Sequence, residues 1–477
     1  MEALMAAMRS DRTWALAILV PAIGASGCAS TSIGADLARV RELTQRPVLA
    51  SVASTDVELE VSKELRAMLR EPLDAGAAVR IALLNNRELR ASLRELGVAR
   101  GQYVQAGLLP NPTFNFDVRR PADRTQPLQG DFAIEYDLTR AILADLQSSA
   151  ARADLEAARY RSAASVVEMG FNVRAGFYAV QAAQQRLVIA VRLLDAFAAG
   201  RDAARALGKA GNVAELDVAS QEAAYESARA TAAQLELDLL DRRERLQRLL
   251  GLHGDETQWK VAGPLPLAPE QIDLPADLER RAVKASLELF EARSRLEAAA
   301  RRTGLSRTEG WLPDISLDVH AEQDARSFEL GGGATVSLPI FDRKQGTIAA
   351  REAEFDALME RYQGMSIDIR SAAREARNRL RSAHLRARQY QQVIVPARGR
   401  VLEQTLLQYN AMQLGVFQVL QARREQLDAE LSYVETLREL WTAQAAFDAL
   451  LAGRRTGMPA TTAPVGLSSS PGSSGGH

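Results

Sequence analysis

The chain has 477 residues, a formal net charge of −1, 5% aromatic residues and one cysteine. Near-neutral charge gives no electrostatic hold on a polyanion, which argues against nucleic acid as a partner. A lone cysteine excludes an internal disulfide. Length alone suggests two to four ordinary domains, but abundant Ala, Leu, Arg, Glu and Gln is the composition of long packed helices.

Residues 1–27 read as an export signal: Arg9 and Arg12 precede an apolar run from Trp14 to Ile23, and small residues lead to Cys28. Ala25-Ser26-Gly27-Cys28 resembles a bacterial lipobox, which implies that Cys28 carries lipid. Ala25 departs from the leucine usual there, and a plain secretory signal with an incidental cysteine is the alternative. Ala29, not being aspartate, implies sorting of such a lipoprotein to the outer membrane. Residues 28–75 read as a linker with a short helix near 61–69.

The spacing of Ile81, Leu84, Leu89, Leu93 and Leu96 predicts one helix over 77–107. Leu109-Pro110-Asn111-Pro112 stops it. Phe114, Phe116 and Val118 then alternate with Asn115, Asp117 and Arg119. After a polar turn, Phe132, Ile134, Tyr136 and Leu138 alternate with Ala133, Glu135 and Asp137, giving a β-hairpin. Residues 142–207 contain no proline and predict a helix of roughly 100 Å. Gly208 to Asn212 breaks it, and a helix over 213–250 follows. A connector over 253–275 carries Pro264, Pro266, Pro269 and Pro275.

The plan then recurs, so that residues 76–252 and 276–453 form two repeats. Matching positions, such as Leu109 with Leu312, Arg159 with Arg361 and Gly211 with Gly415, stay offset by about 200 to 204 residues. The second copy predicts a helix over 276–302 and a strand in which Ile315, Leu317 and Val319 alternate with Ser316, Asp318 and His320. Gly331-Gly332-Gly333 reads as its turn, and Ala334, Val336, Leu338 and Ile340 as the apolar side of the last strand. A helix over 345–413 carries Pro396, a kink or local break, and a last helix runs from Gly415 to Leu451. Residues 454–477, rich in Ser, Gly, Pro and Thr, read as a disordered tail.

No apolar run reaches the roughly 18 residues of a membrane helix, so a membrane role could come only from the strands. Each strand, at about nine or ten residues, matches a tilted bilayer crossing with one apolar and one polar face. Four strands cannot close, and an open edge in lipid leaves backbone groups unsatisfied. Several copies must then share one barrel: two would give eight strands and a filled interior, three would give twelve and a lumen. The alternative is two hairpins capping a soluble helical bundle, a scaffold without channel activity.

The duplication resembles the outer membrane efflux protein family, of TolC type. Carrying the resemblance are Ala106-Gly107-Leu108-Leu109-Pro110-Asn111-Pro112, Leu338-Pro339-Ile340-Phe341-Asp342, and Tyr409-Asn410-Ala411-Met412 with Gly415-Val416-Phe417. It implies a mainly α fold with a small β part, forming as a homotrimer a 12-stranded outer-membrane barrel continued by a long periplasmic α-helical barrel. It further implies an exit duct for a tripartite pump, with a periplasmic adaptor and an inner-membrane transporter as partners. The stretch 409–417 is most similar to members that serve heavy-metal pumps of the resistance-nodulation-division type.

No catalytic constellation and no metal-ligand spacing is present, and no cofactor is called for. Asn115, Asp117, Glu135, Asp318 and His320 are the expected lumen residues. The breaks near Gly211 and Gly415 lie at the end opposite the hairpins, where the family often places carboxylates in a constriction. Aligning Leu216 with Leu420 gives gate candidates Glu215 and Asp217 at one turn and Gln418 and Gln421 at the other. Acids just past a helix start are also favoured by the helix dipole alone.

Overall fold

The structure is a computed structural model describing residues 31–45, 58–120, 122, 129–323 and 327–457. Cys28, the export segment 1–27, most of the first hairpin loop and residues 458–477 of the tail lie outside the described residues. The segment read as a linker contains two helices, α1 (Gly34–Thr44) and α2 (Glu58–Arg70). Helix α1 is docked through Asp36, which is fully buried between Arg100 (Nε, 3.0 Å) and Arg159 (Nη2, 2.6 Å).

The helix expected over 77–107 is two helices, α3 (Ala75–Asn85) and α4 (Arg87–Ala106). The break needs no proline or glycine. The Asn86 side chain accepts from the Leu89 amide at 2.8 Å, as an N-cap does. Its amide donates to the Leu249 carbonyl at 2.9 Å, while Asn85 donates to Leu250 (3.1 Å) and Gly251 (2.8 Å). Strands β1 (Thr113–Arg119) and β2 (Gln129–Asp137) follow, then α5 (Leu138–Lys209) and α6 (Glu215–Leu250). Helix α5 is continuous for 72 residues, about 108 Å at the α-helical rise.

The second half of the chain has the same order of elements as the first. The helix expected over 276–302 is broken at Ser286 into α7 (Leu278–Ala285) and α8 (Leu287–Glu309), with the Ser286 hydroxyl accepting from the Leu289 amide. Strands β3 (Asp314–Gln323) and β4 (Phe328–Ser337) lead into α9 (Gln345–Gln389). A π-helical turn (Tyr390–Ile394), just before Pro396, separates α9 from α10 (Val395–Asn410), and α11 (Val416–Leu451) closes the fold. Proline cannot donate to the carbonyl four residues back, and the wider turn absorbs that loss.

Along the lower body the helices pack in the order α6, α5, α11, then α9 and α10. Above them α4 lies beside α5, and α8 lies between α5 and α9. Short helices therefore stack end to end beside the long ones: α4 sits over the C-terminus of α6, and α8 over that of α11. Two buried clusters hold the stack. One joins Ile81, Leu89, Leu93 and Leu96 to Val173 and Phe177; the other joins Leu289 and Ile369 to Leu380, Leu427, Leu437 and Phe447. The connector straps across the middle, with Leu73 bridging Val261 and the Trp441 indole donating to the Pro266 carbonyl at 2.8 Å.

Candidate functional site: a two-faced sheet and two helical tips

The four strands form one antiparallel sheet in the order β1-β2-β3-β4. Thr139 at the start of α5 fastens it to the helices: its hydroxyl accepts from the Ile315 amide (2.7 Å) and donates to the Pro313 carbonyl (2.9 Å). The register pairs Phe116 with Phe132, Ile134 with Val319, and Ile315 with Val336. Alternation carries Phe114, Val118, Leu317 and Leu330 to the same face, and this face is exposed in the single chain. Trp311 below β3 and Phe341 below β4, both exposed, suit an aromatic girdle at the lower bilayer boundary.

The opposite face is polar. It gathers Asn115, Asp117, Glu135, Asp318 and His320, with Glu135 directly across from Asp318. The His320 ring (Nδ1) lies 3.0 Å from Asp318. One row runs straight across all four strands, from Asp117 through Asp131 and Glu322 to Glu329. Asp131, Glu322 and Glu329 escape sequence reading because only the register lines them up. Like charges directly opposite destabilise a sheet. Here the Arg119 guanidinium relieves part of that by pairing with both Asp117 and Asp131.

Two expectations for the last strand need correction. Gly331, Gly332 and Gly333 do not form the turn; they lie inside β4, opposite His320, Val319 and Asp318. A Cβ at Gly331 would stand 2.4 Å from His320 Nε2, and one at Gly333 2.5 Å from Asp318 Oδ1. The glycines thus clear space for these two polar side chains, and they push the turn earlier. Strand β4 consequently ends at Ser337, so that Leu338 and Ile340 lie beyond it.

At the far end the two turns differ. Gly211 (φ 74°) leads into α6, whose first turn holds Glu215 and Asp217; both are exposed, with no side-chain hydrogen bond or ion pair among the described residues. At the second turn Met412 (φ 59°) leads into α11. Gln418 is exposed beside Gly415, whereas Gln421 donates to Glu425 at 2.9 Å, and Glu425 also binds Arg398. Leu420 packs on Gly200 of α5, but Leu216, its counterpart, is 78% exposed. Near the first tip, Arg201 lies 4.1 Å over the Tyr225 ring, and its bond to Asp202 raises its pKa. No group of three or more metal-ligating side chains occurs among the described residues.

A four-stranded sheet with one apolar and one polar face, raised on helices of about 100 Å, has the two unlike faces that a membrane-spanning β-barrel requires. Residues 78–252 match the family described as Outer membrane efflux protein. It is 25% identical over 367 residues to the cobalt-zinc-cadmium resistance protein CzcC of Cupriavidus metallidurans, covering 75% of this chain and 84% of that protein. Its fold is similar to that of the Campylobacter jejuni CmeC outer membrane channel (TM-score 0.68, 16% identity, 80% of this chain and 85% of that one). It is similar also to that of CusC (TM-score 0.61, 19% identity, 79% and 91%).

Proposed function

We propose that the chain is the outer-membrane exit duct of a tripartite efflux pump, working as a homotrimer. The observation that carries this is the sheet, with two open edges, apolar on one side and polar on the other. Three copies give twelve strands, the smaller number that closes around a lumen rather than a filled core. The periplasmic end meets an adaptor, and an inner-membrane transporter of the resistance-nodulation-division type supplies the driving force. The chain itself catalyses no step and holds no cofactor. Likeness to the cobalt-zinc-cadmium resistance protein favours metal ions as cargo, and lipid on Cys28 anchors the N-terminus.

Reconstitution tests the reading. The protein should need detergent for extraction, size as a trimer and conduct in planar bilayers. A monomer without conductance would leave the rival scaffold in its place.

A further inference from the structure

The polar face of the sheet carries one histidine, and the register surrounds it with carboxylates. On β3, Asp318 and Glu322 stand two residues to either side of His320, about 7 Å away at the rise of a strand. On β2, His320 is opposite Ala133, so Glu135 and Asp131 lie on its two diagonals, about 7–8 Å off. Glu135 and Glu322 make no side-chain hydrogen bond or ion pair among the described residues. Asp131 gives one oxygen to Arg119; its Oδ1 is shielded from solvent and has no partner among the described residues.

The ring itself is held in one orientation. Its Nδ1 lies 3.0 Å from Asp318, and because a carboxylate only accepts, the proton on that side belongs to Nδ1. The neutral ring therefore presents its lone pair at Nε2. That atom lies over Gly331, in the space a Cβ would fill. A glycine inside a strand weakens it, and it marks a place where something comes close to the backbone. The other two described histidines are placed differently: His384 is buried against the Pro269 carbonyl, and His253 lies in the connector beside Glu256.

An imidazole nitrogen suits ions of the zinc class, whereas carboxylates and water alone suit magnesium and calcium. A carboxylate bonded at Nδ1 is the usual backing of a metal-binding imidazole, because it fixes the ring and raises the basicity of the other nitrogen. No third side chain converges with His320 and Asp318 among the described residues, so water completes the shell and the hold is weak. Weak binding is what a conduit needs, since an ion that enters must also leave.

We propose that His320, backed by Asp318, is a low-affinity station for zinc-class divalent cations in the barrel lumen, with Glu135, Asp131 and Glu322 supplying the negative field that draws them. The inference rests on the duct reading and adds where in the lumen a metal ion pauses and which atom selects it.

Block by zinc tests it with the full chain in planar bilayers, with magnesium as the ion that carboxylates alone would bind. In the parent protein zinc should block at lower concentration than magnesium. H320Q and D318N should each raise the half-blocking zinc concentration by about tenfold, the scale of a lost partner around a metal, and H320Q should leave magnesium block unchanged. G331A keeps every ligand but fills the space under Nε2, and should follow H320Q. Equal block by the two ions in the parent, or zinc block unchanged in H320Q, would overturn the station and assign the block to acids alone, on the sheet or at the mouth. A parent that does not conduct would remove the duct reading instead. Equilibrium dialysis of zinc against the purified protein then decides the site by itself: H320Q should bind one zinc ion fewer per chain, and equal binding would overturn it.

Discussion

The amide of Leu287 donates to the carbonyl of Gly453 at 2.9 Å, so that α8 begins where α11 ends. Gly453 reaches this position with φ at 96°, and a Cβ there would lie 2.3 Å from the Ala285 carbonyl oxygen. Gly453→Ala should therefore cost about 2 kcal/mol or more, combining left-handed strain with a backbone clash. Thermal unfolding in detergent measures it. Gly457→Ala, with open space around it, is the control and should change little.

The two faces of the sheet predict unequal tolerance. Phe116→Arg places a charge on the apolar face and should lower stability by about 2–4 kcal/mol if the site lies near mid-bilayer. Asn115→Arg, one residue away on the polar face, should cost far less. Equal losses of folded protein in lipid would contradict the assignment of faces.

Glu215 and Asp217 predict cation preference at the periplasmic mouth. In a trimer they place up to six carboxylates around one axis if they point inward, and rings of like charge attract counter-ions. Replacing both with amides should reduce cation over anion permeability in planar bilayers and weaken block by multivalent cations. Changing Gln421 to alanine should leave selectivity alone, because that side chain is turned toward Glu425. Wild-type selectivity in the double amide would reduce the pair to ordinary helix-start acids.

Asp36 predicts how the N-terminal segment is held. Removing one partner from a buried ion pair is strongly destabilising, because the remaining charges stay desolvated. Asp36→Asn leaves Arg100 and Arg159 facing a neutral amide, at a cost of about 3 kcal/mol. Limited proteolysis should then cut α1 far faster, with the helical body intact. Unchanged cleavage would mean that the segment is held by its apolar contacts through Leu37 and Val40.

Much of this architecture is written in residue patterns. Alternation at Phe114 to Arg119 and at Ile315 to His320 marks strands, and the proline-free run after Ile142 marks the long helix. The breaks at Asn86 and Ser286 are not legible, because each depends on tertiary partners: Asn86 is a cap whose amide also binds the end of α6. Local glycine rules fail at Gly331 to Gly333, where the neighbours on β3 decide the conformation. Helix α1 escapes notice because Asp36 has the look of a solvated residue until Arg100 and Arg159 are brought to it. For the polar face the individual residues are visible in sequence, but the row through Asp131, Glu322 and Glu329 exists only in the register.

The π-helical turn also fixes which side of α10 meets α11. Were the same residues wound as a plain α-helix, every side chain after the turn would be rotated by about 100° about the axis. Arg398 would then swing away from Glu425, to which it is bound across the two helices.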